Sequence, residues 1–435
     1  MAILLFMVSL PSVAQLAEVK ELTLREAIML ALRYHPNVRN IEINRVVEKY
    51  SLDVAKNEFE LRYALEGSVT SSPGSGTTST ATPSVKLKTG IGTTLDVSAT
   101  PQQSTTGGYQ QGAKFSVTQP LIRGFGRDIT QANLMNAYDG ERINKLRFKK
   151  QIMDTVTEVI QSYVALVAAE NSLKSRELSL KSTIKKLDQE KLRAKAGRLA
   201  LAELVTVEAE VTTQQVDIIA ERTRVDDVRS ALLRSIGLDP NTPLSISSEV
   251  RLPNEEVPAL KKATDIILKN DINYQIDLIN RAKNQRSLLT AKDNLRPHLD
   301  ATLTERMGSG SATSSRAVGL QFSIPIDDKS LKQSLLVAEA ALKKEAIDLK
   351  YKKWALESDI AKKLATLENQ KKQLEMTILQ RDLQKRRLAI AEKKLELGRT
   401  STFETTTVRT AVINAEIAAI AAKNNYFTQL ATLQQ

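Results

Sequence analysis

Gln119-Pro-Leu-Ile-Arg-Gly-Phe-Gly-Arg127 closes a short alternating run, Phe115-Ser-Val-Thr118, and opens a segment of 68 residues, Asp128–Lys195. That segment holds no proline, and Gly140 is its only glycine. Nothing in it breaks a helix until Ala196-Gly-Arg198, after which a second helical pattern starts. At 1.5 Å per residue such a helix is about 100 Å long, more than an ordinary globular domain can house. Its apolar residues Ile152, Val156, Val159, Tyr163, Leu166 and Leu173 step by three, four or seven. This narrow stripe suits packing along other long helices.

Working outward, Thr23 starts a short helix, Leu24 to Tyr34, that stops at His35-Pro36, and Asn37 is expected to cap a helix running to about Leu61. A Ser/Thr/Gly-rich region follows, with strands expected over about 62–119. Tyr63, Leu65 and Val69 alternate with Arg62, Glu66 and Ser68. Ile91, Leu95 and Val97 alternate with polar neighbours, as do Phe115 and Val117.

The programme then repeats. Leu24 and Ala27 align with Leu260 and Ala263 at an offset of 236, Pro120 with Pro325 at 205, and Gly197-Arg198 with Gly398-Arg399 at 201. The first copy therefore carries 31 residues more between its strands, the difference between 236 and 205. The expected organisation has a first repeat at 15–237, with long helix 128–195, turn 196–200 and helix 201–236. A proline-bearing equatorial connector occupies 238–258. The second repeat, 259–435, holds a helix at 273–295, strands at about 299–324, a long helix at 329–396, a turn at 397–401 and a helix at 402–433. Two shorter helices laid end to end match each long one.

Composition narrows the class. Aromatic residues are 4% and cysteine is absent, which excludes a disulfide framework, a thiolate nucleophile and a cysteine-based zinc site. His35 and His298 each lie beside a proline near a helix end and read as structural or surface residues rather than metal ligands. The net charge of +12 is spread along helices and mixed with acids, a solvated face rather than a nucleic-acid surface. Residues 1–14 read as a signal peptide cleaved after Ala14. Its positive n-region is missing, which fits a native start upstream of Met1. No later run of about 18 uninterrupted apolar residues marks a transmembrane helix.

The strands need a home for their apolar faces. The flanking helices run away from the sheet and leave it uncovered, so lipid is the expected neighbour, with the polar face toward a lumen. Val318, Leu320, Phe322 and Ile324 then face lipid. A sheet in lipid has to close on itself, and two hairpins are too few, so several chains share one barrel. Pro120 and Pro325 stand where strand becomes helix, and their recurrence marks a built strand-to-helix junction.

Leu24-Arg-Glu-Ala-Ile-Met-Leu-Ala-Leu32 with Pro36-Asn37, Gln119-Pro-Leu-Ile-Arg-Gly-Phe-Gly126 and the paired Gly-Arg turns resemble the outer membrane efflux protein family, the TolC-like channels. The resemblance spans nearly all of the chain after residue 14. It implies an α+β membrane protein: a homotrimer whose shared 12-stranded transmembrane β-barrel in outer membrane lipid continues as a long α-helical coiled-coil tunnel. It also implies a periplasmic adaptor and an inner-membrane pump as partners. The adaptor-docking turns would be Gly197, Arg198 and Leu199 with Gly398, Arg399 and Thr400. Acids six and nine residues after the second glycine form the family's gate. Here the sixth is Glu404, with Glu203 its counterpart in the first copy, while the ninth is Thr407, a departure that puts a two-tier gate in doubt. Glu203 and Glu404 read equally as tunnel-constriction acids, which would favour cations, and as solvated helix-face residues.

No phosphate loop, metal-ligand cluster or nucleophile elbow is present, so neither catalysis nor a cofactor is expected. Gly124-Phe-Gly126 lacks the third glycine of a dinucleotide fingerprint, since Ile129 stands there. The rival reading is a periplasmic coiled-coil adaptor or a filament subunit. Two long hairpins, each preceded by strands, favour the channel. The cargo, whether drug, metal ion or polypeptide, stays open.

Overall fold

A computed structural model describes residues 21–73, 76–105, 108–197, 200–247, 258–308 and 314–434. The signal-peptide region, Arg198, Leu199 and residues 248–257 of the connector lie outside them. In chain order the elements are α1 (Leu24–Tyr34), α2 (Pro36–Asn57), β1 (Arg62–Ser72), β2 (Gly76–Lys88), β3 (Thr94–Ala99), β4 (Gln102–Ser104), β5 (Gly108–Gln110) and β6 (Gly112–Pro120). Then come α3 (Arg127–Thr130), α4 (Ala132–Lys195), α5 (Leu201–Ile236), α6 (Leu260–Asn270), α7 (Ile272–Asn294), β7 (His298–Gly308), β8 (Ser315–Ser323), α8 (Lys329–Glu396) and α9 (Thr402–Gln434).

The compact units are not the sequence repeats. One unit comprises Met1–Asn40, Lys150–Ala263 and Ser358–Gln435, and the other Ile41–Lys149 and Thr264–Glu357. Two of the boundaries between these units fall inside the long helices, after Lys149 in α4 and after Glu357 in α8.

The first unit has an ordinary apolar core. Ala27 and Ala31 of α1 meet Val159, Tyr163, Leu166 and Ala169 of α4 and Val225, Leu232 and Ile236 of α5. Helix α1 carries a capping box: the Thr23 hydroxyl accepts from the Glu26 N–H, and the Glu26 carboxylate accepts from the Thr23 N–H. The Leu22 N–H donates to the Ser245 carbonyl and the Ser247 N–H to the Leu22 carbonyl, tying two distant segments by a parallel bridge. The fully buried Tyr163 hydroxyl lies 2.9 Å from the carbonyl oxygens of both Leu22 and Ser247. Burial pushes its pKa up, which keeps the phenol a donor. One window of α4 is apolar enough to cross a bilayer by length and composition, but that helix also supplies these core residues.

The cap of α2 differs from expectation. Pro36 occupies the first helical position, and the buried His35 is the cap, its Nδ1 accepting from the Asn37 N–H at 3.2 Å. Asn37 is already inside the helix. The helix also stops at Asn57, short of Leu61.

The second unit is built on one antiparallel sheet, whose main path runs β1-β2-β3-β6-β7-β8, with the short β4–β5 hairpin attached to β2. The two hairpins implied by the resemblance would supply four strands; the described sheet has eight. Register places the period-two patterns in phase, except that Ile91 lies in the turn between β2 and β3 rather than in a strand. Leu87, Leu95, Val117, Leu303 and Val318 are successive partners across five strands. So are Tyr63, Val85, Val97 and Phe115, on the same face. Between these rows lie Lys86, Asp96, Ser116 and Thr304, facing the other way. One face is thus largely apolar, interrupted where Phe115 meets Glu305 and its ion-paired neighbour Arg316, a pattern that single strands showed only weakly.

Ion pairs join helices in this unit. Arg45 of α2 pairs bidentately with Glu141 of α4 at 2.9 and 2.7 Å, which lowers the Glu141 pKa. Arg286 of α7 holds Asn136 and Asp139 of α4, and Lys352 of α8 holds Asp277 of α7.

Candidate functional site

The two strand-to-helix junctions belong to the second unit and are not alike. Pro120 ends β6 opposite Asp300, and the chain turns through Gly124, whose N–H donates to the buried carboxylate of Asp293 at 2.7 Å. The one-turn α3 follows, and Gln131 interrupts the helix before α4 begins at Ala132. The helix expected from residue 128 is therefore broken once near its start. Its cause is the tight corner, where Thr130 bonds back to the Gly124 carbonyl at 3.1 Å. At the second junction Pro325 lies just beyond β8, and Asp328 caps α8 directly, accepting from the N–H groups of Ser330 and Leu331. The Ser330 hydroxyl, together with those backbone bonds, holds its pKa down.

The helix turns belong to the first unit. Gly197 and Gly398 adopt φ of 69° and 68°, the left-handed conformation that a side chain resists. After α8 the Gly398 N–H bonds to the Leu395 carbonyl at 3.0 Å and the Arg399 N–H to the Lys394 carbonyl at 2.8 Å. That pair of bonds is a Schellman stop. Ser401 then caps α9, its hydroxyl accepting from the Glu404 N–H at 3.2 Å. The first turn stops α4 by a Gly197 N–H bond to the Ala194 carbonyl, and Ala200 starts α5 with no side-chain cap.

Glu203 and Glu404 both sit in the first turn of their helices, where negative charge complements the helix dipole. This is a structural reason for their presence that needs no conduction. The exposed Glu404 accepts from the Thr400 hydroxyl. The half-buried Glu203 accepts at 3.3 Å from the Thr402 hydroxyl, so it joins one turn to the other. Thr407, where the second gate acid was sought, is exposed. Around the turns Leu192, Leu201, Val205, Leu397 and Phe403 are large apolar residues left exposed.

Further along these helices lies a buried polar layer that was not foreseen. Lys186 and Glu190 of α4, Glu210 and Gln214 of α5, and Arg409 of α9 are all buried. Gln214 donates to the Thr183 hydroxyl at 3.2 Å and to Glu210 at 3.1 Å, while Arg409 pairs with Glu392 of α8 at 2.6 Å. Burial raises the pKa of Glu210, against opposing contacts from Thr406, Arg409 and Lys186. Burial, then the charge of Arg409, lowers that of Lys186. The signal was present in the sequence: Val207, Glu210, Gln214, Ile218, Glu221 and Val225 step by three and four along one stripe. Polar residues inside an apolar stripe fix helix register at a cost in stability.

Comparison with known proteins completes the description. Residues 278–435 match the family described as outer membrane efflux protein. No curated protein matches the sequence. Among solved structures, the outer-membrane channel OprN is 13% identical, with 94% of this chain and 88% of that chain covered and a TM-score of 0.71. The Campylobacter jejuni CmeC outer membrane channel is 14% identical over 94% of this chain and 84% of that one, with a TM-score of 0.71. The outer membrane protein VceC of Vibrio cholerae is 12% identical over 94% of each chain, with a TM-score of 0.70. Residues 278–435 are thus similar to the outer membrane efflux protein family, in a chain whose fold, over 94% of its length, is similar to that of the OprN, CmeC and VceC outer-membrane proteins.

Proposed function

We propose that this chain is one subunit of a homotrimeric channel in the outer membrane of a Gram-negative bacterium, serving a tripartite export system. Its sheet crosses the outer membrane, and its helices form a periplasmic conduit that meets an adaptor and, through it, an inner-membrane pump. It conducts rather than catalyses. The observation that carries this reading is the apolar face of the sheet. Tyr63, Leu65 and Val69 on β1 are each 74% exposed, and Val318, Leu320 and Phe322 on β8 are 80%, 70% and 73% exposed. An apolar surface of that continuity belongs against lipid.

Strands β1 and β8 are the open edges of the main path, each paired on one side only among the described residues. Six alternating strands leave these edges antiparallel, so β8 of one subunit can continue into β1 of the next. The repeat supplies the register. Shifting β6 by 205 positions gives β8, and shifting β7 back by 236 gives β1, so Phe115↔Glu305 becomes Leu320↔Val69. At this pair, and at the Ile324↔Leu65 pair that Gln119↔Ala301 becomes, apolar residue meets apolar residue.

In the same reading the turns at Gly197, Arg198 and Leu199 and at Gly398, Arg399 and Thr400 dock the adaptor. The exposed Leu201, Leu397 and Phe403 offer it apolar area. Glu203 and Glu404 supply up to six carboxylates in a trimer near the narrow end. The test is conductance of the purified protein in planar bilayers. Heat-modifiable trimers that conduct, with divalent-cation block weakened in Glu404→Gln, are expected; a soluble, non-conducting protein would refute the channel. Block unchanged in a conducting Glu404→Gln variant would remove only the gate role.

A further inference from the structure

The 31 residues by which the first repeat exceeds the second have no counterpart in the four-strand expectation. Resting on the trimeric channel just described, we propose that they form two additional membrane-crossing wall strands. Each chain then contributes six strands, and three chains close a barrel of eighteen rather than twelve.

Three observations carry this. The first is height. β1 pairs with β2 over the whole length of β1, from Arg62↔Lys86 to Ser72↔Gly76. The turn after it, residues 89–93, sits at the junction where the long helix begins. There the Gly126 N–H donates to the Ile91 carbonyl at 3.2 Å, Thr93 bonds to Gln119, and Lys88 pairs with Glu58 at 2.6 Å. A Cβ on Gly92 would stand 2.7 Å from the Gly124 carbonyl oxygen and 2.9 Å from Pro120. The added hairpin therefore reaches the helical end of the sheet. An extracellular flap would stop at the opposite end.

The second observation is the face. Val85, Leu87, Leu95 and Val97 share the apolar side with Phe115, Val117 and Leu303. Lys86 and Asp96 lie opposite, 3.6 Å apart as an ion pair. A loop in water has no need for this segregation, whereas a wall strand requires it.

The third is parity. β3 pairs with β2 on one side and β6 on the other, so the insertion lies inside the ladder and does not hang from it. Two added strands keep the count even, which preserves the antiparallel edges that closure needs. Beyond Ala99, where β3 ends, the β4–β5 hairpin takes over pairing with the distal half of β2 at Thr78–Thr80. Barrel diameter grows roughly linearly with strand number, so the lumen is wider by about half than that of a twelve-stranded wall.

The chain has no cysteine, so single-cysteine variants each carry one label. Val97→Cys on the insertion, Phe322→Cys on β8 and Ser98→Cys on the polar face are labelled with a small fluorophore. The trimers are placed in vesicles of brominated phosphatidylcholine. The expected result is loss of fluorescence at Val97→Cys to the same extent as at Phe322→Cys, with Ser98→Cys unquenched. Quenching at Phe322→Cys alone would overturn the added strands and leave the channel standing. Quenching at Ser98→Cys as well as Val97→Cys would also overturn them, since no lumen face would exist. No quenching at any position would overturn the channel and the inference together.

Discussion

Leu303→Arg is expected to abolish recovery of the trimer from outer membranes, while Thr304→Arg, one residue away, leaves it nearly intact. Leu303 is in the transverse apolar row, between Val117 and Val318, and Thr304 is in the polar row, between Ser116 and Ala317. An arginine on the lipid face near the bilayer midplane costs about 2–4 kcal/mol, whereas a lumen position is tolerated. Three copies in one barrel bring the penalty to about 6–12 kcal/mol per assembly. Heat-modifiability on gels reads the outcome. Equal trimer yields from both variants would mean that the sheet does not lie in lipid.

Gly237→Ala is expected to destabilise the first unit by about 3 kcal/mol, from a left-handed backbone penalty plus overpacking. Gly237 ends α5 at φ 87°, with its N–H on the carbonyls of Leu233 and Arg234. An added Cβ would lie 2.6 Å from the Tyr34 carbonyl oxygen and 2.8 Å from the His35 Cα. Both are backbone atoms at the α1–α2 corner, so neither can rotate away. Gly197→Ala is the control: its φ is also left-handed, but an added Cβ meets nothing within 4 Å. Only the conformational cost, about 1 kcal/mol, remains there. Thermal unfolding of the two variants separates the terms, and equal losses would show that the close approach at Gly237 is not rigid.

Much of this fold was legible because its strongest signals are local. Long helices announce themselves by the absence of breakers, and the second, at Lys329–Glu396, is uninterrupted. Paired Gly-Arg turns and alternating strands are equally local, and their repetition made them specific. What escaped was set by partners distant in sequence. The break at Gln131 follows from a corner held by Asp293, a residue 169 positions from Gly124. The strands β2 and β3 are rich in Thr and Ser, so their apolar face emerges only when register lines Val85 and Leu87 up with Val97 and Leu95. His35, beside a proline, gave no hint that its ring nitrogen would cap the next helix. At the turns the sequence marked residues without their roles. Glu203 and Glu404 are placed at helix starts, where a cap and a gate have the same appearance.

The central claim is that the open edges of the sheet join one copy of the chain to the next. Cross-linking of the double variant Val69→Cys/Leu320→Cys, in a chain with no other cysteine, tests it most directly. Oxidation in outer membranes is expected to convert the protein into a covalent trimer, while Glu66→Cys/Leu320→Cys, three residues out of register and on opposite faces, stays monomeric on denaturing gels. Failure of the first pair to cross-link in assembled protein, or equal cross-linking by both, would contradict the shared barrel and its register.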